Sequence, residues 1–129
     1  MGAASEGPPI TMSISPISDG VTNALHMAIN GLDARQQAIS GNVANLETPG
    51  YLARTVSFED SLRAALDGGD PTDMSVSVDQ SLAPTRMNGN NVNIDFELLA
   101  AQENNLSQTL IVQALNAKYA LLRTAILGQ

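Results

Sequence analysis

From Asp95 to Leu127 the chain runs thirty-three residues without a proline or a glycine. That stretch predicts a long helix, with Asn93 or Asp95 able to cap its start. Its acids Asp95, Glu97 and Glu103 lie early and its bases Lys118 and Arg123 late, an order that complements the helix dipole. One face carries Leu99, Leu106, Leu110, Ala114, Ala117 and Leu121; a second carries Ile111, Leu115, Leu122 and Ile126. A helix apolar on more than one side must be buried on several sides. One partner helix from the same chain cannot cover all of it, so the sequence predicts assembly.

The N-terminal half supplies that partner helix. Val21, Leu25, Ala28, Leu32, Ile39, Val43 and Leu46 recur at threes, fours and sevens, with Leu25, Leu32, Ile39 and Leu46 in heptads. This narrow seam suits packing against another helix over about 21–45, roughly 37 Å at 1.5 Å per residue. Gly31 and Gly41 each cost about 1 kcal/mol relative to Ala and permit close approach. Thr48-Pro49-Gly50-Tyr51 ends the helix, with Pro49 and Gly50 at the two central positions of a type II turn. Asn45 suits a helix C-terminus, where a left-handed residue is common.

The fold class expected is therefore mainly α: long N- and C-terminal helices packed as an antiparallel, coiled-coil-like pair, joined by an irregular middle segment. Within that segment, 52–91, Ser57 and Asp60 resemble a capping box. A short helix over about 58–66 would present Phe58, Leu62 and Leu66. Gly68-Gly69-Asp70-Pro71 stops it, Met74 to Val78 alternates weakly like a strand, and Pro84 and Asn88-Gly89-Asn90-Asn91 mark turns. Residues 1–17 are rich in Ser, Pro and small side chains and are expected to be flexible, leaving 18–129 as a single domain. Met12 is a second candidate start, with Met1–Thr11 then an upstream extension.

Composition narrows the function. Aromatics are 3% of the chain, so the core must be aliphatic and thin. The net charge of −7 argues against nucleic acid and against an anionic membrane surface. There is no cysteine, which removes disulfides, thiolate metal sites and cysteine nucleophiles. No unbroken apolar run approaches the roughly 20 residues of a membrane span. The N-terminus lacks the basic and apolar regions of a Sec-type signal peptide.

Candidate chemistry is sparse. His26 stands alone beside the apolar stripe, with no second histidine or cysteine to share a metal. Asp67, Asp70 and Asp73 lack the ligand spacing of an EF-hand loop and read as a solvated turn. Asp95 and Glu97 are explained by a helix start. No nucleophile elbow, P-loop or dinucleotide fingerprint occurs. The expectation is no catalytic residue, no cofactor, no metal and no small-molecule substrate.

Asn42-Val43-Ala44-Asn45-Leu46-Glu47-Thr48-Pro49-Gly50-Tyr51 closely resembles the Asn-x-Ala-Asn-x-x-Thr-Pro-Gly-Tyr signature of flagellar rod, hook and hook-associated proteins, where it ends the N-terminal helix. The matching positions are Asn42, Ala44, Asn45, Thr48, Pro49, Gly50 and Tyr51. Residues 88–97 resemble the Asp-Gly-Asn-x-Val-Asp-x-Asp-x-Glu segment of the FlgB-type proximal-rod family, with the FlgC type as nearest rival. Asn88 and Asn93 depart from it where Asp is favoured, and a customary Tyr is missing near Gln108. The C-terminal residues 115–128 are also similar to the FlgB type.

The resemblance implies a non-enzymatic subunit of the bacterial flagellar basal-body rod, lying in the periplasmic space. It implies export through the flagellar type III apparatus without a cleaved signal peptide, and assembly into a hollow, torque-transmitting shaft. Implied partners are other rod proteins, the rod-base adaptor, the membrane-ring protein and copies of itself. A heterologous contact that does not close generates such a tube. On this view Leu25, Leu32, Ile39, Leu99, Leu106 and Leu110 form the intrachain seam, and Ile111, Leu115, Leu122 and Ile126 face neighbours. The rival reading is a soluble helical adaptor or export chaperone that forms a closed dimer.

Overall fold

Two long helices lie antiparallel and a small α/β lobe packs against the first of them. The computed structural model describes residues 9–127. Helix α1 is Pro9–Ala44, strand β1 Arg54–Ser57, helix α2 Glu59–Asp67, strand β2 Ser77–Gln80 and helix α3 Ile94–Leu127. A 3₁₀ turn covers Pro71–Asp73.

Helix α1 starts at Pro9, earlier than its seam predicts. Ile10, Ile14 and Ile17 continue the spacing of Val21 backwards across Pro16. Pro9 suits a first helical position, where a missing N–H costs nothing. Residues 1–8, and with them the choice between Met1 and Met12 as the start, lie outside the described residues, as do 128–129. At the other end, Tyr51 N–H donates to the Thr48 carbonyl (3.2 Å) and Gly50 takes φ +76°, the type II turn expected at Pro49-Gly50. Asn45 is not left-handed; no described residue other than glycine has a positive φ. Its amide Nδ2 instead donates to the Gly41 carbonyl (2.8 Å), which satisfies one of the terminal acceptors.

The core gathers where α1 meets the lobe. Leu32, Val56, Phe58, Ala65 and Met74 are buried together, flanked by Met27, Ala38, Leu62 and Ile111. Ser57 does not cap α2: it belongs to β1, Phe58 occupies the cap without a side-chain bond, and the Glu59 carboxylate reaches back to Phe58 N–H (3.4 Å). Ala65 takes the inward place expected of Leu66, which is exposed. Strand β2 overlaps only the end of the weakly alternating Met74–Val78, at Ser77 and Val78, and pairs antiparallel with β1, setting Val56 opposite Val78. Helix α3 begins as Asn93 predicts, its Oδ1 accepting from Phe96 N–H (3.2 Å).

Arg35 ties the lobe to α1. Its guanidinium donates to both Glu59 oxygens (2.7 and 2.8 Å) and to the Val56 carbonyl (2.8 Å), and lies 4.9 Å from the Phe58 ring centroid. These hydrogen bonds lower the Glu59 carboxyl from its usual 4.5 to about 2. Because the folded value is the lower one, the pair stabilises fully above about pH 4.5 and is lost as pH falls toward 2. Half of the Glu59 side chain meets solvent, so screening holds the contribution below about 1 kcal/mol. Glu59→Gln should therefore flatten the loss of stability between about pH 5 and pH 3, read by urea denaturation at each pH. An unchanged pH slope would remove the pair from the account.

Candidate functional site

The signature segment and the asparagine-rich segment before α3 form one hydrogen-bonded latch. Asn42, 1% exposed, uses its whole amide. Nδ2 donates to the Arg54 carbonyl (2.9 Å) and to Glu97 Oε1 (3.0 Å), while Oδ1 accepts from Arg54 N–H (2.8 Å) and the Tyr51 hydroxyl (3.3 Å). Asn42 on α1 thus holds both β1 and α3. Asn45 Oδ1 accepts from the Thr48 hydroxyl (3.0 Å), which stiffens the turn. Ala44, Thr48, Pro49 and Gly50 are exposed; apart from the Thr48 hydroxyl, they act through backbone shape.

The other half of the latch comes from the segment where the sequence predicts turns. Asn90 is fully buried. Its Nδ2 donates to the carbonyls of Asn45 and Thr48 (2.8 Å each), and its Oδ1 accepts from Val92 N–H (2.7 Å). Asn91 Oδ1 accepts from Ala53 N–H (2.6 Å), and its Nδ2 donates to Ser81 and Ala83 carbonyls (3.1 Å each). Arg86 donates to the carbonyls of Val92 and Leu46 (2.6 Å each). Gly50 N–H donates to the Asn88 carbonyl (2.8 Å), and a Cβ on Gly89 would stand 3.2 Å from Gly50 Cα. A carbonyl buried without a partner costs about 1–3 kcal/mol, so these asparagines hold an irregular backbone that no ladder could satisfy. The departures from the family pattern are chemically mild: Asn88 and Asn93 both use their side-chain oxygen as acceptor, which Asp also supplies.

The helix pair is zipped by polar contacts as much as by leucines. Asn104 Nδ2 donates to the Leu32 carbonyl (3.0 Å) and Gln36 Oε1 (3.2 Å), Gln108 donates to Asp33 (2.8 Å), and His26 Nε2 lies 3.2 Å from the Tyr119 hydroxyl. Asn104 Oδ1 is buried and has no partner among the described residues. Gln108, near which the family pattern favours a Tyr, thus has a partner of its own.

This zipper corrects the expected faces of α3. On α1, Leu32 and Ile39 are buried and Leu25 half-buried. On α3, Leu99, Leu106 and Leu110 are exposed at 56%, 61% and 56% and take no part in the intrachain seam. Leu115 is buried, and Ile111 and Leu122 are half-buried, against the expectation that they face neighbours. Ile126 is exposed. The inward stripe runs Glu97, Asn104, Ile111, Leu115, Leu122, at spacings of seven and four. Its first two members are polar, so a count of apolar residues selects the wrong side. Polar seam residues fix register, since a slip of one turn would strand Asn42, Glu97 and Asn104. Helix α3 is also long and apolar enough, by length and composition, to cross a membrane, which a search for an unbroken apolar run misses.

No protein-family model matches the chain. Individual relatives do. The flagellar basal body rod protein FlgB of Bacillus subtilis is 30% identical over 123 residues, covering 84% of this chain and 95% of the relative. The chain belongs to the FlgB family of flagellar basal body rod proteins. The FlgB proteins of Borreliella burgdorferi and Escherichia coli K12 are 32% and 26% identical over 108 and 112 residues. They cover 67% and 70% of this chain and are themselves covered to 80% and 81%. As a FlgB-type chain it is a structural subunit of the flagellar basal-body rod, and the closed-dimer adaptor is not favoured. The latch joins residues 42–51, which carry the signature of flagellar rod and hook proteins, to residues 88–97, which carry the FlgB resemblance.

Proposed function

We propose that this rod subunit works without catalysis, as a rigid latch-and-helix-pair unit whose outer α3 face is laid against neighbouring subunits. The observation that carries this is the stripe Leu99, Leu106, Leu110 and Leu121, exposed on a helix whose opposite side is already occupied by α1. Large apolar side chains in a continuous row on a helix mark an interaction face. In this reading the neighbours are copies of the chain and other rod proteins. The rod-base adaptor and membrane-ring protein contact its ends. The subunit reaches the periplasmic span by flagellar export, without cleavage.

Leu106→Asp tests the reading. The side chain is already in solvent, so monomer stability should move by no more than about 0.5 kcal/mol, while incorporation into rods and motility are lost. A variant that builds normal rods would show that the stripe is not the contact. Sedimentation of the wild type that stops at a concentration-independent dimer would favour a closed adaptor instead.

A further inference from the structure

The charge of the chain is divided along its length. Residues 1–103 hold all thirteen acids and four of the six bases, a net of −9; residues 104–129 hold the other two bases and no acid, a net of +2. Those two bases, Lys118 and Arg123, form no ion pair among the described residues. They stand on the part of α3 that also exposes Leu110, Val112, Tyr119 and Leu121. Two copies of a chain with net charge −7 repel one another in most orientations. The distal half of α3 is a long apolar surface that can approach an acidic neighbour with favourable charge.

We propose that contact between copies is head to tail, with the distal half of α3 of one subunit docking on the α2–β2 lobe of the next. The lobe has the matching chemistry. It exposes Leu66, Val76 and Val78, and Asp67 and Asp73 carry no hydrogen-bonded partner on their carboxylates among the described residues. Apolar contact supplies adhesion, and charge sets which surfaces meet. A contact between two different surfaces leaves one of each unfilled at every step, so it propagates rather than closes. This rests on the proposed assembly role and adds to it the polarity of the contact and the surface that receives α3.

The test uses two full-length variants, Lys118→Glu/Arg123→Glu and Asp67→Lys/Asp73→Lys, both checked for native helicity by circular dichroism. Wild-type self-association, followed by sedimentation, should weaken at least about tenfold between about 0.05 M and about 0.5 M salt as charges are screened. Each variant alone should fail to associate, because each has lost one side of the contact. Mixed, they should associate again, since the intact α3 of one meets the intact lobe of the other and the reversed α3 meets the reversed lobe with opposite charge. An Asp67→Lys/Asp73→Lys chain that self-associates like the wild type overturns the proposal, as does a mixture that stays monomeric. If both variants assemble normally while Leu106→Asp does not, the head-to-tail docking falls and the leucine-stripe reading stands. A wild type that stays monomeric but binds anionic phospholipid vesicles through Lys118 and Arg123 shows that a second copy is the wrong occupant.

Discussion

Asn42→Asp should destabilise the folded subunit by about 3–5 kcal/mol at neutral pH, the cost of an uncompensated buried charge. The change is one atom, NH₂ to O. That atom now donates to the Arg54 carbonyl and to Glu97 Oε1, 2.9 and 3.0 Å away. Both are acceptors, and Glu97 is itself buried, so an aspartate there faces a carbonyl dipole and a second carboxylate. Two carboxylates about 3 Å apart cannot both ionise, and one must take up a proton. The folded pair then has an apparent pKa above its unfolded values, so the folded state binds the extra proton. Stability of the variant should rise as pH falls through that raised pKa and be lost again as pH rises. Asn42→Ala supplies the contrast. It loses hydrogen bonds at about 1–3 kcal/mol without adding charge, and its deficit should not depend on pH between 5 and 8 in roughly that way. Urea midpoints at both pH values read all three chains. If the Asp variant matches the Ala variant at both, the Asn42–Glu97 contact does not organise the latch.

The sequence reading and the structure part company along a physical line. Periodicity found α1 and α3 because each repeats one spacing over many turns, and turn chemistry found Gly50 because a positive φ there requires glycine. The inward side of α3 escaped because Glu97 and Asn104 sit where hydrophobicity expects leucine. Their burial depends on partners in α1, 55 to 72 residues away in the chain at Asn42, Leu32 and Gln36. The latch escaped for the same reason. Asn90, Asn91 and Arg86 look like loop residues one at a time, and they become structural only when the signature turn supplies the carbonyls they bind. Strand β1 gave no alternation because just one of its four residues, Val56, is buried. A sequence signal did exist for the latch: four asparagines among residues 88–93, on a surface otherwise rich in acids, are more amides than a solvated turn needs.

The second large effect separates two glycines in one helix. Gly31→Ala should destabilise the subunit by up to about 2 kcal/mol, and Gly41→Ala should stabilise it by up to about 1 kcal/mol. Helix propensity favours alanine at both sites by about 1 kcal/mol, so the sign at each is decided by what the new methyl meets. At Gly41 it meets the Tyr51 hydroxyl at 3.7 Å, an ordinary contact. At Gly31 it would fall within the face of the Phe58 ring, against Cγ and both Cδ atoms at once. The ring cannot swing aside, because it is buried among Leu32, Val56 and Ala65 with the Arg35 guanidinium over it. Overpacking of that kind costs about 1–3 kcal/mol, and here it also pulls the lobe from α1, which loosens the Arg35–Glu59 pair. Phe58→Leu, which removes the ring, should abolish the penalty of Gly31→Ala, so a double-mutant cycle should return a coupling of at least about 1 kcal/mol. Additive effects, or a stabilising Gly31→Ala, would mean that α1 and the lobe are not held at that distance in solution, and that the glycine the seam tolerates is not there to admit the ring.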